Sequence, residues 1–304
     1  MSPDNGLFGP GSVSWRVHSD PVMWVAAFYA LAIQSLHPHT LWGTYQHSTL
    51  FVRKHALARL FRTADYVSTR TFGSTAEVER AGRRVRAIHD RLRGRDLDTG
   101  EEYRLDEPVN LMWVHCGEVL AYLRVAQRAG VPLTAADTDA YVDEQRRAAA
   151  VVGLDPATVP GSVAELEAYF ERMRPQLRLT KEAVAGIRMW LVVPAPPRLA
   201  ALLLVYPVLA GLAFALLPPW ARRLYRLPAT LPGLDAAATL ALRAVRRVML
   251  VLPARYRGTT LQIRHIRTAR ALEHRPNFPT VLGGCAPKSR ASAQNGGEVG
   301  STAR

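Results

Sequence analysis

Cysteine and lysine are the scarce residues of this 304-residue chain. Only Cys116 and Cys285 occur, far apart and outside any C-x-x-C, so neither a disulfide scaffold nor a thiolate metal site is indicated. H-E-x-x-H, G-x-S-x-G, G-x-x-x-x-G-K-[ST] and G-x-G-x-x-G are all missing, which removes the zincin, nucleophile-elbow, P-loop and dinucleotide signatures. No Glu-x-x-His pair occurs, which counts against a di-iron carboxylate bundle. Without C-x-x-C-H, haem cannot be attached covalently by that route. The opening MSPDNGLFGPGS has no charged stretch leading into an apolar core, so no signal peptide and a cytoplasmic location are expected.

What is abundant is apolar residues, at 48%, and arginine. The apolar content suffices for a sizeable core. Against 25 acidic residues stand 39 basic ones, for a net charge of +14. Such a balance suits nucleic acid, an anionic membrane surface or an anionic cofactor, and equally reflects a bias towards Arg, Ala, Leu and Pro. No nucleic-acid motif is present and the arginines are spread over several segments, so no nucleic-acid partner is expected. Strand signals are scarce, and the class read from the sequence is all-α: one large helical domain with a globin-like or bundle-like core. Residues 1–20, rich in Gly, Pro and Ser, are expected to be extended, residues 21–275 to form the domain, and residues 286–304 to be a disordered tail.

Helices are expected from Pro21 to Leu36, from Ser48 to Tyr66, and from Ala76 to a stop at Gly94, with 69–74 a loop hinged at Gly73. Residues 96–106 read as a polar turn or hairpin. Glu107 to Arg128 carries two apolar faces, as a helix in the middle of a bundle would. Thr134 is a plausible N-cap, and Ser162 with Glu165 reads as a capping box. Further helices fit 176–191 and 235–252. The run 199–217 has nineteen residues without a charge. It allows a spanning helix, a peripheral membrane attachment, or a buried hairpin broken at Pro207.

The stretch AEVERAGRRVRAIHDRLRG, residues 76–94, organises the rest. Val78, Ala81, Val85, Ile88 and Leu92 recur at helical spacing, His89 sits at the edge of that stripe, and arginines fill the other face. An imidazole on a dry wall beside arginines is what a haem with two propionates needs, although an arginine face is also an ordinary solvated one. His115 reads as a buried histidine or a functional one. His37, His39 and His47 allow a metal site in a Pro-bounded loop.

FGPGSVSWRVHSDPVMW, ALAIQSLHP, RLFRTADYVSTRTFG, RVRAIHDRLRG and LMWVHCGEVLAYL occur in that order. Over about residues 7 to 225 the chain resembles the catalytic-domain family of the oxygenase MpaB and rubber oxygenase (latex clearing protein). The resemblance implies an all-α domain holding a non-covalent b-type haem and using dioxygen on a hydrophobic small-molecule or polymer substrate. Arg86-Ala-Ile-His89 matches the element carrying the axial histidine. The resemblance therefore assigns His89 as the iron ligand with Arg86 beside the cofactor, and His115 as the next candidate. Arg59-Leu-Phe-Arg62-Thr63 matches a distal Arg-x-x-Lys-Thr element, with Arg62 in place of lysine. A guanidinium stays protonated and ligates poorly, so Arg62 is expected to leave the sixth position to water or to donate to bound oxygen. No acidic residue occurs in 40–58 to stand for the glutamate base of rubber oxygenases. These departures count against rubber cleavage and leave open an oxygenase or peroxygenase of another apolar substrate, isoprenoid, lipid or polyketide-like, reached through an apolar channel lined by Trp24, Phe28 and the 199–217 segment. Two other readings stay open: a haem-binding protein without turnover, and a cofactor-free helical protein of the membrane surface.

Overall fold

The computed structural model describes residues 4–191, 200–253, 255 and 257–273; the tail expected at 286–304 lies outside them. Thirteen helices are present among the described residues. They are α1 (Val13–His18), α2 (Met23–Gln34), α3 (Pro38–His47), α4 (Arg53–Phe72), α5 (Thr75–Arg91), α6 (Pro108–Ala129) and α7 (Ala135–Val152). After these come α8 (Val163–Met173), α9 (Lys181–Leu191), α10 (Ala200–Ala215), α11 (Pro219–Leu224), α12 (Leu234–Val251) and α13 (Thr260–Glu273). One antiparallel ribbon, β1 (Arg93–Arg95) with β2 (Glu102–Arg104), pairs Gly94 with Tyr103. The class is all-α.

The core is built around α2, whose twelve residues contain no charge and can only be buried. It lies along α6, which has two apolar faces to offer, and against α10. The two backbones come close at Gly117, where a Cβ would stand 3.1 Å from Gln34 Cγ. Trp113, fully buried, donates its indole N–H to the Gln34 carbonyl at 3.0 Å, and the Gln34 amide donates to the Val114 carbonyl at 2.9 Å. Helix α6 ends at Gly130, whose φ of 76° is open to glycine at little cost. Thr134 and Asp137 then form a reciprocal capping box for α7.

Several segments differ from the sequence expectation. Residues 13–18 are helical, not extended. Ser12 is the N-cap, its hydroxyl accepting the Trp15 N–H at 3.1 Å, and the Glu144 carboxylate of α7 accepts the N–H groups of Val13 at 3.1 Å and Ser14 at 2.7 Å. The serine cap is a local signal, masked by the Gly- and Pro-rich sequence around it, whereas Glu144, some 130 residues away, leaves none. Residues 38–47, expected as a loop, form α3, with His37 as N-cap and Pro38 in the first turn. Helix α4 runs on through 69–72, because Thr71 and Phe72 are held by Trp15: its indole N–H donates to the Thr71 carbonyl at 2.6 Å, and its ring meets Phe72 at 5.5 Å. Gly94 is not a helix stop. It lies in β1 under the Tyr103 ring, where a Cβ would come within 2.3 Å of Cζ. Residues 260–273, not anticipated as a helix, form α13, packed on α4.

Helix α10 accounts for most of the 199–217 run. Leu209, Ala210, Leu212 and Ala213 are buried in the core, and Tyr206 packs edge-on against Phe28 of α2 at 4.6 Å. No helix among the described residues is long and apolar enough to cross a membrane.

Candidate active site

Helices α4 and α5 form an antiparallel hairpin closed by Gly73 and Ser74. Ser74 and Glu77 make a capping box that fixes the start of α5. At 1.5 Å per residue, Arg59 lies about 21 Å before the turn and His89 about 24 Å after it. Both therefore sit at the open end of the hairpin. On α4, Arg59, Thr63, Tyr66 and Arg70 recur at spacings of three and four and share one face.

At the open end, the apolar stripe of α5 is progressively uncovered. Val78 is buried, Ala81 and Val85 are half-buried, and Ile88 is 48% exposed. Val52, just before α4, is 42% exposed. His89 is half-buried, with Nδ1 fully enclosed and without a hydrogen-bond partner. Burial lowers its pKa; Asp106 opposes the shift and the positive charge of Arg59 adds to it. Arg59 is itself desolvated, which together with Arg62 lowers its own pKa. Its guanidinium donates to the Thr63 hydroxyl one turn along. Arg62 is exposed and donates to Thr49 Oγ1 at 3.2 Å. Arg86 donates to the Val151 carbonyl at 2.6 Å, tying α5 to α7.

Towards the closed end, a second polar cluster is assembled from α1, α4, α6 and α7. Arg70, only 3% exposed, forms two hydrogen bonds to Glu118 of α6, at 2.5 and 3.2 Å. Burial works to raise the Glu118 pKa, but the charge and hydrogen bonds of Arg70 hold it down. His18 stacks on Tyr122 at 4.4 Å and pairs its ring nitrogens with Tyr141 Oη at 3.1 Å and Thr71 Oγ1 at 3.4 Å. Burial, then the Arg70 charge, lower the His18 pKa to about 3. His115 belongs here, not with His89: burial and Arg70 take it to about 4. Between the two ends, the Tyr66 hydroxyl is enclosed and unpartnered, and burial raises its pKa.

Sequence reasoning missed His18, Tyr66, Arg70 and Glu118 as members of one cluster. The signal was the spacing of Arg59, Thr63, Tyr66 and Arg70, hidden when 69–74 is read as a loop. The histidines of 37–47 go to three separate partners. His37 caps α3, His39 meets Asp96 at 2.9 Å, and His47 bonds the Arg93 carbonyl at 2.7 Å. Among the described residues no three His, Cys, Asp or Glu side chains are arranged to hold a metal ion. A cavity of about 550 Å³ lies between α4 and α13, lined by Phe61, Asp65, Leu261 and Arg264 among others. It is on the face of α4 away from Arg59 and Thr63. Trp24 meets Phe61 at 5.8 Å, and Phe28 is buried against Tyr206 of α10.

No curated protein and no solved structure matches the chain. The model of one family, of oxygenase catalytic domains, matches residues 15–252, which covers every site residue described above. The chain belongs to that family, the ER-bound oxygenase mpaB/B'/rubber oxygenase catalytic domain.

Proposed function

We propose that this protein is a haem b-dependent oxygenase of an apolar substrate, isoprenoid, lipid or polyketide-like, with His89 as the axial iron ligand. The observation that carries the reading is the half-buried imidazole of His89 at the open end of the α4–α5 hairpin, beside a desolvated arginine; Nδ1 is enclosed, which leaves Nε2 as the nitrogen that would meet iron. A porphyrin brings four nitrogens of its own, so one protein ligand suffices. The residues present fit the group: a neutral imidazole, an uncovered apolar stripe ending at Ile88, and the guanidinium groups of Arg59 and Arg62 for propionates. Bound there, haem supplies the redox-active iron that dioxygen chemistry requires.

The chain's own residues then have separable roles. His89 is kept neutral by burial and by Arg59, which leaves a lone pair available near neutral pH. Arg59 and Thr63 hold donors on the α4 wall, where negative charge developing on oxygen would be stabilised. Arg62 acts from its contact with Thr49. Arg86 positions α5 through Val151. A second reading, haem binding without turnover, has one observation in its favour. The carboxylate felt by His89 is Asp106, which Arg104 holds at 2.5 Å, so it is not a free base.

The test is a visible spectrum of the haem-reconstituted protein, oxidised and dithionite-reduced with CO. A b-type spectrum is expected, lost in His89→Ala while far-UV circular dichroism is unchanged. Unchanged spectra in His89→Ala would remove His89 as ligand and turn attention to His115→Ala. Oxygen consumption with terpenoid, polyisoprenoid and fatty-acid panels separates turnover from binding alone.

A further inference from the structure

Helix α12 has one more apolar face than its packing uses. Ala238, Leu242, Val245 and Met249 turn inward, with Ala238 and Leu242 buried and the other two half-buried. On a different side, Ala237, Leu240, Ala241, Ala244, Val248 and Val251 recur at helical spacing and all face solvent. Leu240 is 67% exposed, Val248 59% and Val251 82%. Neighbouring α10 leaves Val205 and Val208 exposed, and the segment joining α11 to α12 exposes Leu227 and Leu231. Nine of the fifteen large apolar side chains exposed among the described residues lie in 205–252, so they are concentrated and not scattered.

The charge of the same region is one-sided. From Ala183 to Leu272 the sequence has thirteen arginines and a single acid, Asp235. Asp235 is engaged by Arg222 at 3.2 Å and Arg128 at 3.5 Å. Arg223, Arg226, Arg243 and Arg247 are exposed, and Arg243 and Arg247 border the apolar stripe of α12. An apolar stripe flanked by arginines fits the boundary between acyl chains and anionic headgroups. It does not fit a neutral protein partner, which would leave the arginines unmatched. No described helix is long and apolar enough to span a bilayer, so the attachment lies in the plane of the interface.

We propose that the exposed face of α12, with the adjoining surface of α10, docks on an anionic lipid bilayer. The inference does not depend on haem. It is tested by sedimenting the full chain with phosphatidylcholine vesicles and with equimolar phosphatidylcholine–phosphatidylglycerol vesicles. Binding to the anionic vesicles alone, weakened by salt, is expected. Leu240→Gln/Val248→Gln/Val251→Gln should lower the partition coefficient by more than roughly tenfold. Because these side chains are exposed, its melting temperature should hold. Arg223→Gln/Arg247→Gln should lower partitioning roughly fivefold per arginine. No binding to either vesicle overturns the proposal, as does equal binding to both. If light scattering shows a lipid-free dimer that the stripe variant dissociates, a second copy occupies the face and the proposal fails. Vesicle binding by the stripe variant equal to wild type also overturns it.

Discussion

The two ends of α4 present the same residue types in opposite states. Arg70 and Arg59 lie three turns apart on one face, each near a histidine whose pKa is lowered. At the Arg70 end the guanidinium has a buried carboxylate, and His18 has a hydroxyl on each ring nitrogen and a tyrosine ring against its face. At the Arg59 end the guanidinium bonds only to its own helix, and the enclosed nitrogen of His89 bonds to nothing. Buried polar groups are normally satisfied. The cluster around Arg70, in which only Arg70 Nε is buried without a partner, holds four helices together. An unsatisfied one costs stability.

The largest effect should come from breaking the satisfied end. Glu118→Gln leaves the Arg70 charge enclosed and under-compensated, and should cost about 3–5 kcal/mol in urea unfolding. The double variant Arg70→Met/Glu118→Leu should recover most of that, because a buried pair replaced by apolar groups of similar volume is often near neutral. A single-variant cost under about 1 kcal/mol would show that the pair is not the clamp. Next comes pH. His18 and His115 have folded pKa values of about 3 and about 4, below the 6.5 of the unfolded chain. The unfolded state thus binds protons first on acidification. Their contribution is fully present above about pH 6.5 and is lost as pH falls towards 4, by up to about 1.4 kcal/mol per pH unit for each group. Glu118, with its pKa lowered, adds to the loss only below its ordinary value of 4.5. Replacing His18 with Phe should flatten the curve between pH 4.5 and 6.5; an unchanged slope would mean that His18 is protonated in the folded protein.

Local chemistry made much of the fold legible. The uncharged run of α2, the two apolar faces of α6 and the Thr134 cap are visible because period and capping act within a few residues. The last turn of α4 and the strand role of Gly94 were hidden, because Trp15 and Tyr103 reach them from elsewhere in the chain, while α1 has a local cap at Ser12 that the Gly- and Pro-rich surroundings obscured. The candidate site divides the same way. His89 at the edge of an apolar stripe is readable from spacing. That its nitrogen is enclosed and unpartnered, and that His115 belongs to the Arg70 cluster, depends on which helices meet. The bond from Arg86, three residues before His89, to the Val151 carbonyl of α7 likewise depends on which helices meet.

The smallest effect on stability should be at the unsatisfied end, and it sharpens the comparison most. Arg59 has no acid partner among the described residues, pays for burial, and sits against the like charge of Arg62. Arg59→Gln should therefore shift the stability of the haem-free protein by no more than about 0.5 kcal/mol in either direction. Yet Arg59 is one of the charges that lower the His89 pKa, so its removal should raise the imidazole pKa, followed by NMR titration of His89. A merely structural arginine would move stability and leave that titration alone. If Arg59→Gln destabilises as strongly as Glu118→Gln and the His89 titration does not move, the two ends of α4 are alike and the open end is architecture. If stability holds and the pKa rises, Arg59 is set to control the protonation of His89, which is what an axial ligand position requires.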